Sequence, residues 1–183
     1  MQRYLKSIED WFNKWRKTKA GKKCSFKIYS KGPIPKELSS GEFKLFIFNE
    51  AIPVNHNPKY LGINLDRNLN FKYHTELVRE KLFKLLNIIK CLTFKKWSLS
   101  TERLINVYKV LIRSTMEYVP QLLLVNGENI ERLHGVQYKA LQILLKESPR
   151  CSNLFIHHLS QIETIHDRIY SLSEKYFEKN ILK

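Results

Sequence analysis

The chain has 183 residues, of which 43% are hydrophobic and 12% aromatic, enough apolar content for one ordinary domain and too much for a disordered chain. Its 32 Lys+Arg against 17 Asp+Glu leave a net charge of +15, a field that attracts polyanions, nucleic acid first and an anionic membrane or acidic protein second. The longest uncharged apolar run, Val119 to Val125, contains Pro120 and falls far short of a membrane span, and Cys24, Cys91 and Cys151 are too scattered for a zinc site or a disulfide framework.

Taken in order, residues 3 to 16 are predicted to be a helix, because Leu5, Ile8, Trp11, Phe12 and Trp15 share one face. Packing, rather than base stacking, is the expected use of the two tryptophans, so this helix needs a partner surface. From Arg16 to Lys36 the chain is strongly basic, with Lys17, Lys19, Lys22, Lys23, Lys27 and Lys31 and no acid before Glu37. Cys24 to Ser30 alternates at period two and predicts a half-buried strand, broken by Lys31-Gly32-Pro33-Ile34-Pro35. Phe43 to Phe48 is a second strand, Asn49 to Ala51 a turn, and Ile52 to Val54 its return. After the Asn55-His56-Asn57-Pro58 turn, Tyr60 to Leu65 reads as a further strand, closed by the turn chemistry of Asp66-Arg67-Asn68.

The rest reads as amphipathic helix. Thr75 is the expected N-cap of a helix that carries Val78, Leu82, Leu85, Ile89 and Leu92 on one face. Ser98-Leu99-Ser100 caps the next, with Leu104, Tyr108, Leu111, Thr115 and Val119 in register and Pro120 ending or kinking it. Ile130, Leu133, Val136, Ala140 and Leu144 mark a third, and Ile162, Ile165, Ile169, Leu172 and Tyr176 a last. Residues 152 to 159 carry no clear pattern.

Catalytic chemistry is thin. Asp10, Asp66 and Asp167 are the three aspartates, and no two are neighbours. A polymerase clusters carboxylates to hold two Mg²⁺ ions against the attacking and leaving oxygens. Phosphate-loop and nucleophile-elbow motifs are absent. His157-His158 with His166 lacks metal-ligand spacing, because adjacent helical residues point to different faces. The positive signal is basic: the 16 to 31 cluster, then Lys59, Arg67 and Lys72, then Lys81, Lys84, Lys90, Lys95 and Lys96. Each group alone reads equally well as a solvated face. Their recurrence favours one shared polyanion, bound with salt-dependent, sequence-tolerant affinity.

The stretch Lys59-Tyr60-Leu61-Gly62-Ile63-Asn64-Leu65-Asp66-Arg67-Asn68-Leu69-Asn70-Phe71-Lys72-Tyr73-His74 resembles the segment that follows the catalytic palm in reverse transcriptases of non-LTR, LINE-like retrotransposons. Leu111-Ile112-Arg113-Ser114-Thr115-Met116-Glu117-Tyr118 is similar to a thumb segment of that family. Val136-Gln137-Tyr138-Lys139-Ala140-Leu141 with Pro149-Arg150 is similar to a stretch beyond the thumb. The resemblance implies that Lys59, Tyr60, Leu61 and Gly62 form a primer grip. It also implies that Lys23 matches a lysine that helps protonate the leaving pyrophosphate, and that the chain starts just after the catalytic motif. The family uses Mg²⁺, but its ligands are not among the matched residues, so neither a cofactor nor a catalytic residue is expected here.

The expected fold is α+β, a small antiparallel sheet in the N-terminal third followed by a mostly α-helical, thumb-like bundle. Residues 1–74 would be a palm remnant with the grip hairpin, 75–125 thumb-like helices and 126–183 a helical extension. The expected function is that of a truncated reverse-transcriptase-like protein, non-catalytic alone. It would bind an RNA–DNA hybrid or duplex through the grip and through Lys23, Arg67, Lys72, Lys81 and Lys84. The alternatives are a protein-interaction or oligomerisation module acting through the first helix, an inert retroelement remnant, and an enzyme whose carboxylates come from another chain.

Overall fold

The computed structural model describes residues 1–15, 24–30, 32–33, 36, 43–94 and 99–180. They form two compact units, Met1–Asn70 and Phe71–Lys183, and the α+β expectation holds.

In the first unit, helix α1 (Gln2–Lys14) precedes two hairpins, β1 (Leu45–Ile47) with β2 (Glu50–Ile52) and β3 (Lys59–Tyr60) with β4 (Ile63–Asn64). The hairpins are separate two-stranded antiparallel sheets rather than one. Leu45 pairs with Ile52 and Ile47 with Glu50, and Leu45, Ile47 and Ile52 are the buried core of this unit. The β1–β2 turn falls on Phe48-Asn49, one residue earlier than the predicted Asn49 to Ala51, and both residues have positive φ, which matches the twist of a two-residue hairpin turn. Helix α1 docks on β1 through side chains that satisfy its exposed backbone. The Gln2 amide donates to Phe46 O (2.8 Å) and accepts from Phe46 N (3.1 Å), and Glu9 accepts from Phe48 N (2.7 Å). An edge strand is thereby covered. The predicted Cys24–Ser30 strand is a looser thing: Phe26 makes an isolated parallel bridge to Val54.

The second unit is a helical bundle: α2 (Lys72–Phe94), α3 (Thr101–Tyr108), a π-helical turn (Lys109–Arg113), α4 (Ser114–Met116), α5 (Pro120–Leu124), α6 (Gly127–Leu145), α7 (Asn153–Ser160) and α8 (Ile165–Asn180). Three short polar side chains start helices by accepting from the first-turn backbone: Ser100 from Arg103 N, Asn126 from Glu128 N and Ser152 from Phe155 N. Thr75 does not cap α2. The helix begins at Lys72, and the buried Thr75 hydroxyl bonds back to Phe71 O (3.0 Å).

The core runs from Leu82 through Ile169, with α2 packed against α6. All five residues predicted for the third helix are buried in α6. The α3 face differs: Leu104, Tyr108, Ile112 and Met116 are buried, whereas the predicted Leu111 and Thr115 are only half-buried. A strict spacing of four drifts round a 3.6-residue helix, and the wider π turn in the middle brings it back to the core. Pro120 opens α5 at its first turn, where its missing N–H is not needed.

Candidate nucleic-acid interface

The β3–β4 hairpin is short because Leu61-Gly62 is its turn, not the middle of a strand. Leu61 has φ 45° and Gly62 φ 86°. Two successive positive φ values define the tight hairpin turn, and glycine takes the second without strain. Leu61 has no such freedom, so its conformation is held by the surrounding pairing. The tip presents Lys59, Tyr60 and Leu61 to solvent, with Tyr60 65% and Leu61 71% exposed.

The base of the hairpin is clamped. Leu65 N donates to Pro58 O (3.0 Å), and the Lys27 ammonium donates to His56 O and Leu65 O, one on each side of the hairpin. Desolvation lowers the Lys27 pKa, and the charge of Asp66 partly restores it. Lys27 therefore anchors the hairpin rather than offering its charge outward. Asp66 is occupied locally, its carboxylate accepting from Asn70 N (3.3 Å).

The predicted contact residues differ in their availability. Lys23 lies outside the described residues. Arg67 is exposed and donates to Gly32 O (2.8 Å), which ties the turn to the preceding segment. Lys72 pairs with Glu128 at 3.4 Å, but both side chains are mostly exposed, so the pair holds Lys72 weakly. Lys59, Lys81 and Lys84 are exposed, with no ion pair among the described residues. Lys81 and Lys84 lie one turn apart on α2.

Other parts of the motif-like segments are structural. Burial alone would lower the Arg113 pKa, but hydrogen bonds and charges from Glu117 and Glu163 outweigh it and raise it. Glu117 also accepts from Arg168 (2.9 Å), so the π turn, α4 and α8 share one ion network. Gln137, almost wholly buried, donates to Glu163 O (2.9 Å) and accepts from Ile165 N (2.7 Å), the first residue of α8. Burial pushes the Tyr108 hydroxyl pKa up to about 12. The sequence offers Arg113, Glu117 and Gln137 only as parts of a resemblance, without this role, while Tyr108 is read by spacing onto the apolar face of its helix. Arg and Glu four apart in a helix was the available signal for the Arg113–Glu117 pair.

Among the described residues, no group of three His, Cys, Asp or Glu side chains is placed to hold a metal ion. No described helix is long and apolar enough to cross a membrane.

A basic, exposed hairpin is thus followed in sequence by a helical bundle. Over nearly its whole length the chain is similar to RNA-directed DNA polymerases of non-LTR retrotransposons. It is 22% identical over 184 residues to the probable RNA-directed DNA polymerase from transposon X-element of Drosophila melanogaster, covering 98% of this chain and 19% of that protein. It is 21% identical over 182 residues to the RNA-directed DNA polymerase from mobile element jockey of Drosophila funebris, covering 98% of this chain and 19% of that protein. A retrovirus-related Pol polyprotein from type-1 retrotransposable element R1 4 of Nasonia vitripennis is 27% identical over 90 residues, 49% of this chain and 23% of that protein. The chain thus spans about a fifth of the length of these relatives. No family model and no solved structure matches it.

Proposed function

We propose that this reverse-transcriptase-like chain binds an RNA–DNA hybrid or duplex and does not polymerise by itself. The exposed β3–β4 tip supports the reading most directly. A strained two-residue turn presents Lys59 beside Tyr60 and Leu61, a cation next to apolar surface that can lie against a sugar–phosphate backbone. Lys81 and Lys84 on α2 supply further phosphate contacts, with Arg67 and Lys72 contributing less because each already has a protein partner. The three dispersed aspartates support the non-catalytic part. In this reading the helices of 75–125 act as a thumb and those of 126–183 as its extension.

The test is affinity for a hybrid across a salt series, with Mg²⁺-dependent primer extension in parallel. Strong, salt-steep binding without extension is the expected result. Lys59→Glu combined with Lys81→Glu should weaken binding and flatten the salt dependence by about one unit of slope per lost phosphate contact. Salt-independent binding, or extension, overturns the proposal.

A second reading, docking of a protein partner or a second copy on α1, rests on the exposed stripe of Tyr4, Ile8, Trp11 and Trp15. Its test is sedimentation over a concentration series, and a monomer at every concentration removes self-association.

A further inference from the structure

The groove between α2 and α6 is a different kind of surface from the hairpin. It is an open cavity of about 680 Å³. Phe83, Leu86 and Ile143 give it an apolar floor, and Lys84, Lys90 and Lys139 stand around it. Among the described residues, Glu80 is the one acid that lines it. None of the three lysines has an ion pair among the described residues, and the Lys139 ammonium lies 5.5 Å from the centre of the Phe83 ring.

We propose that this groove docks an acidic amphipathic helix of a protein partner. The floor selects against a nucleic-acid strand. A sugar–phosphate backbone offers Leu86 and Ile143 only the small C–H edges of its sugars, far less apolar surface than a leucine stripe buries. Base stacking needs a free aromatic face, and the Phe83 ring is already approached by both Arg79 (5.2 Å) and Lys139. A helix with an apolar stripe removes that floor from water, and acidic residues beside the stripe meet the lysines. The dimensions agree. The lining residues of α2 run from Glu80 to Lys90 at helical spacing, about 15 Å along the axis, or three turns of a docked helix. A third helix lying in the groove between two packed ones is ordinary helix packing. Lys84 also belongs to the proposed nucleic-acid contacts, so the inference is tested at Lys90 and Lys139, which do not.

The experiment uses the full chain and a fluorescent model peptide of about 14 residues, helical, with a leucine stripe flanked by glutamates. Two further probes are the same peptide with lysines for glutamates and an RNA–DNA hybrid. The glutamate peptide should bind and the lysine peptide should not. The pair Lys90→Glu and Lys139→Glu should weaken the glutamate peptide by about tenfold while leaving hybrid affinity within about twofold. Should those variants fold poorly by circular dichroism, hydrogen exchange of the unaltered chain decides, and the peptide should protect α2 and α6 selectively. Failure of the glutamate peptide to bind, binding indifferent to peptide charge, or protection elsewhere overturns the proposal. So does displacement of the peptide by the hybrid from a chain carrying Lys84→Ala, where the shared lysine is gone, which would assign the groove to nucleic acid.

Discussion

The two compact units reach order by different means. In Met1–Asn70 three side chains, Leu45, Ile47 and Ile52, are the buried core among the described residues, and much of the remaining order comes from side chains reaching backbone: Gln2 on β1, Glu9 on the β1–β2 turn, Lys27 at the hairpin base, Arg67 on Gly32. In Phe71–Lys183 a continuous apolar core runs from Leu82 to Ile169, and polar bonds complete it at helix ends. Hydrophobic burial scales with area, whereas a surface hydrogen bond contributes about 1 kcal/mol. The hairpin unit should therefore open locally long before the bundle does. This difference also suits a binding role, since the exposed tip belongs to the softer unit and the bundle forms the firmer one.

The largest break in that comparison should come from the bundle core. Leu141→Ala removes a fully buried side chain of α6, and we expect a loss of about 3 kcal/mol in urea unfolding of the helical unit. Amide exchange in the β1–β2 hairpin should change little. Equal loosening of both units would show that they unfold as one.

Gln137→Leu comes next. It keeps volume but leaves Glu163 O and Ile165 N unsatisfied at the start of α8, so about 2 kcal/mol should be lost, with α8 amides exchanging faster than those of α2. Unchanged exchange in α8 would mean that water replaces the amide without loss.

At the hairpin tip, Gly62→Ala places a Cβ on a residue at φ 86° and should weaken the turn by about 1 kcal/mol. The bundle should melt as before, and hybrid affinity should fall through loss of tip geometry rather than loss of charge. Unaltered affinity would separate the tip from nucleic-acid binding and leave α2 as the contact surface.

How far sequence reading reached follows the same division. Helices with a full apolar face were readable, and α6 was read with its whole core set, because tertiary packing and the 3.6-residue period agree there. The face of α3 and its continuation was misread by one position because the predicted step from Tyr108 to Leu111 fits a regular α-helix, whereas the π turn adds a residue and brings Ile112 to the core. The grip-like motif was located by resemblance, but its shape was not. Tyr60 to Leu65 reads as one strand by residue type, and it takes the positive φ of Leu61 to show that Gly62 completes a turn. Charge was legible only as a total. Which lysines point outward depended on partners distant in sequence: Lys27 turned toward the carbonyls of His56 and Leu65, and Lys72 met Glu128.

The smallest effect concerns pH and sharpens the comparison from the bundle side. His134 of α6 stacks on His157 of α7 at 5.9 Å between ring centres and meets His166 of α8 edge-on at 5.3 Å. Burial first, then the charges of His166 and His157, lower the His134 pKa, and Glu131 opposes them. The unfolded chain therefore takes up this proton more readily than the folded one, so stability rises with pH. The contribution is complete above the ordinary imidazole value of about 6.5 and is lost as pH falls through the lowered folded value. We expect the urea midpoint of the bundle to decline modestly from pH 7.5 to pH 5.5, and His134→Phe to flatten the decline, because a ring that cannot charge keeps the three helices packed at either pH. The hairpin unit lacks this three-ring cluster among its described residues, so its amide exchange, corrected for intrinsic rates, should keep the same protection over that range. A decline that survives His134→Phe would remove His134 as its source, and one shared by both units would attribute it to net charge rather than to this cluster.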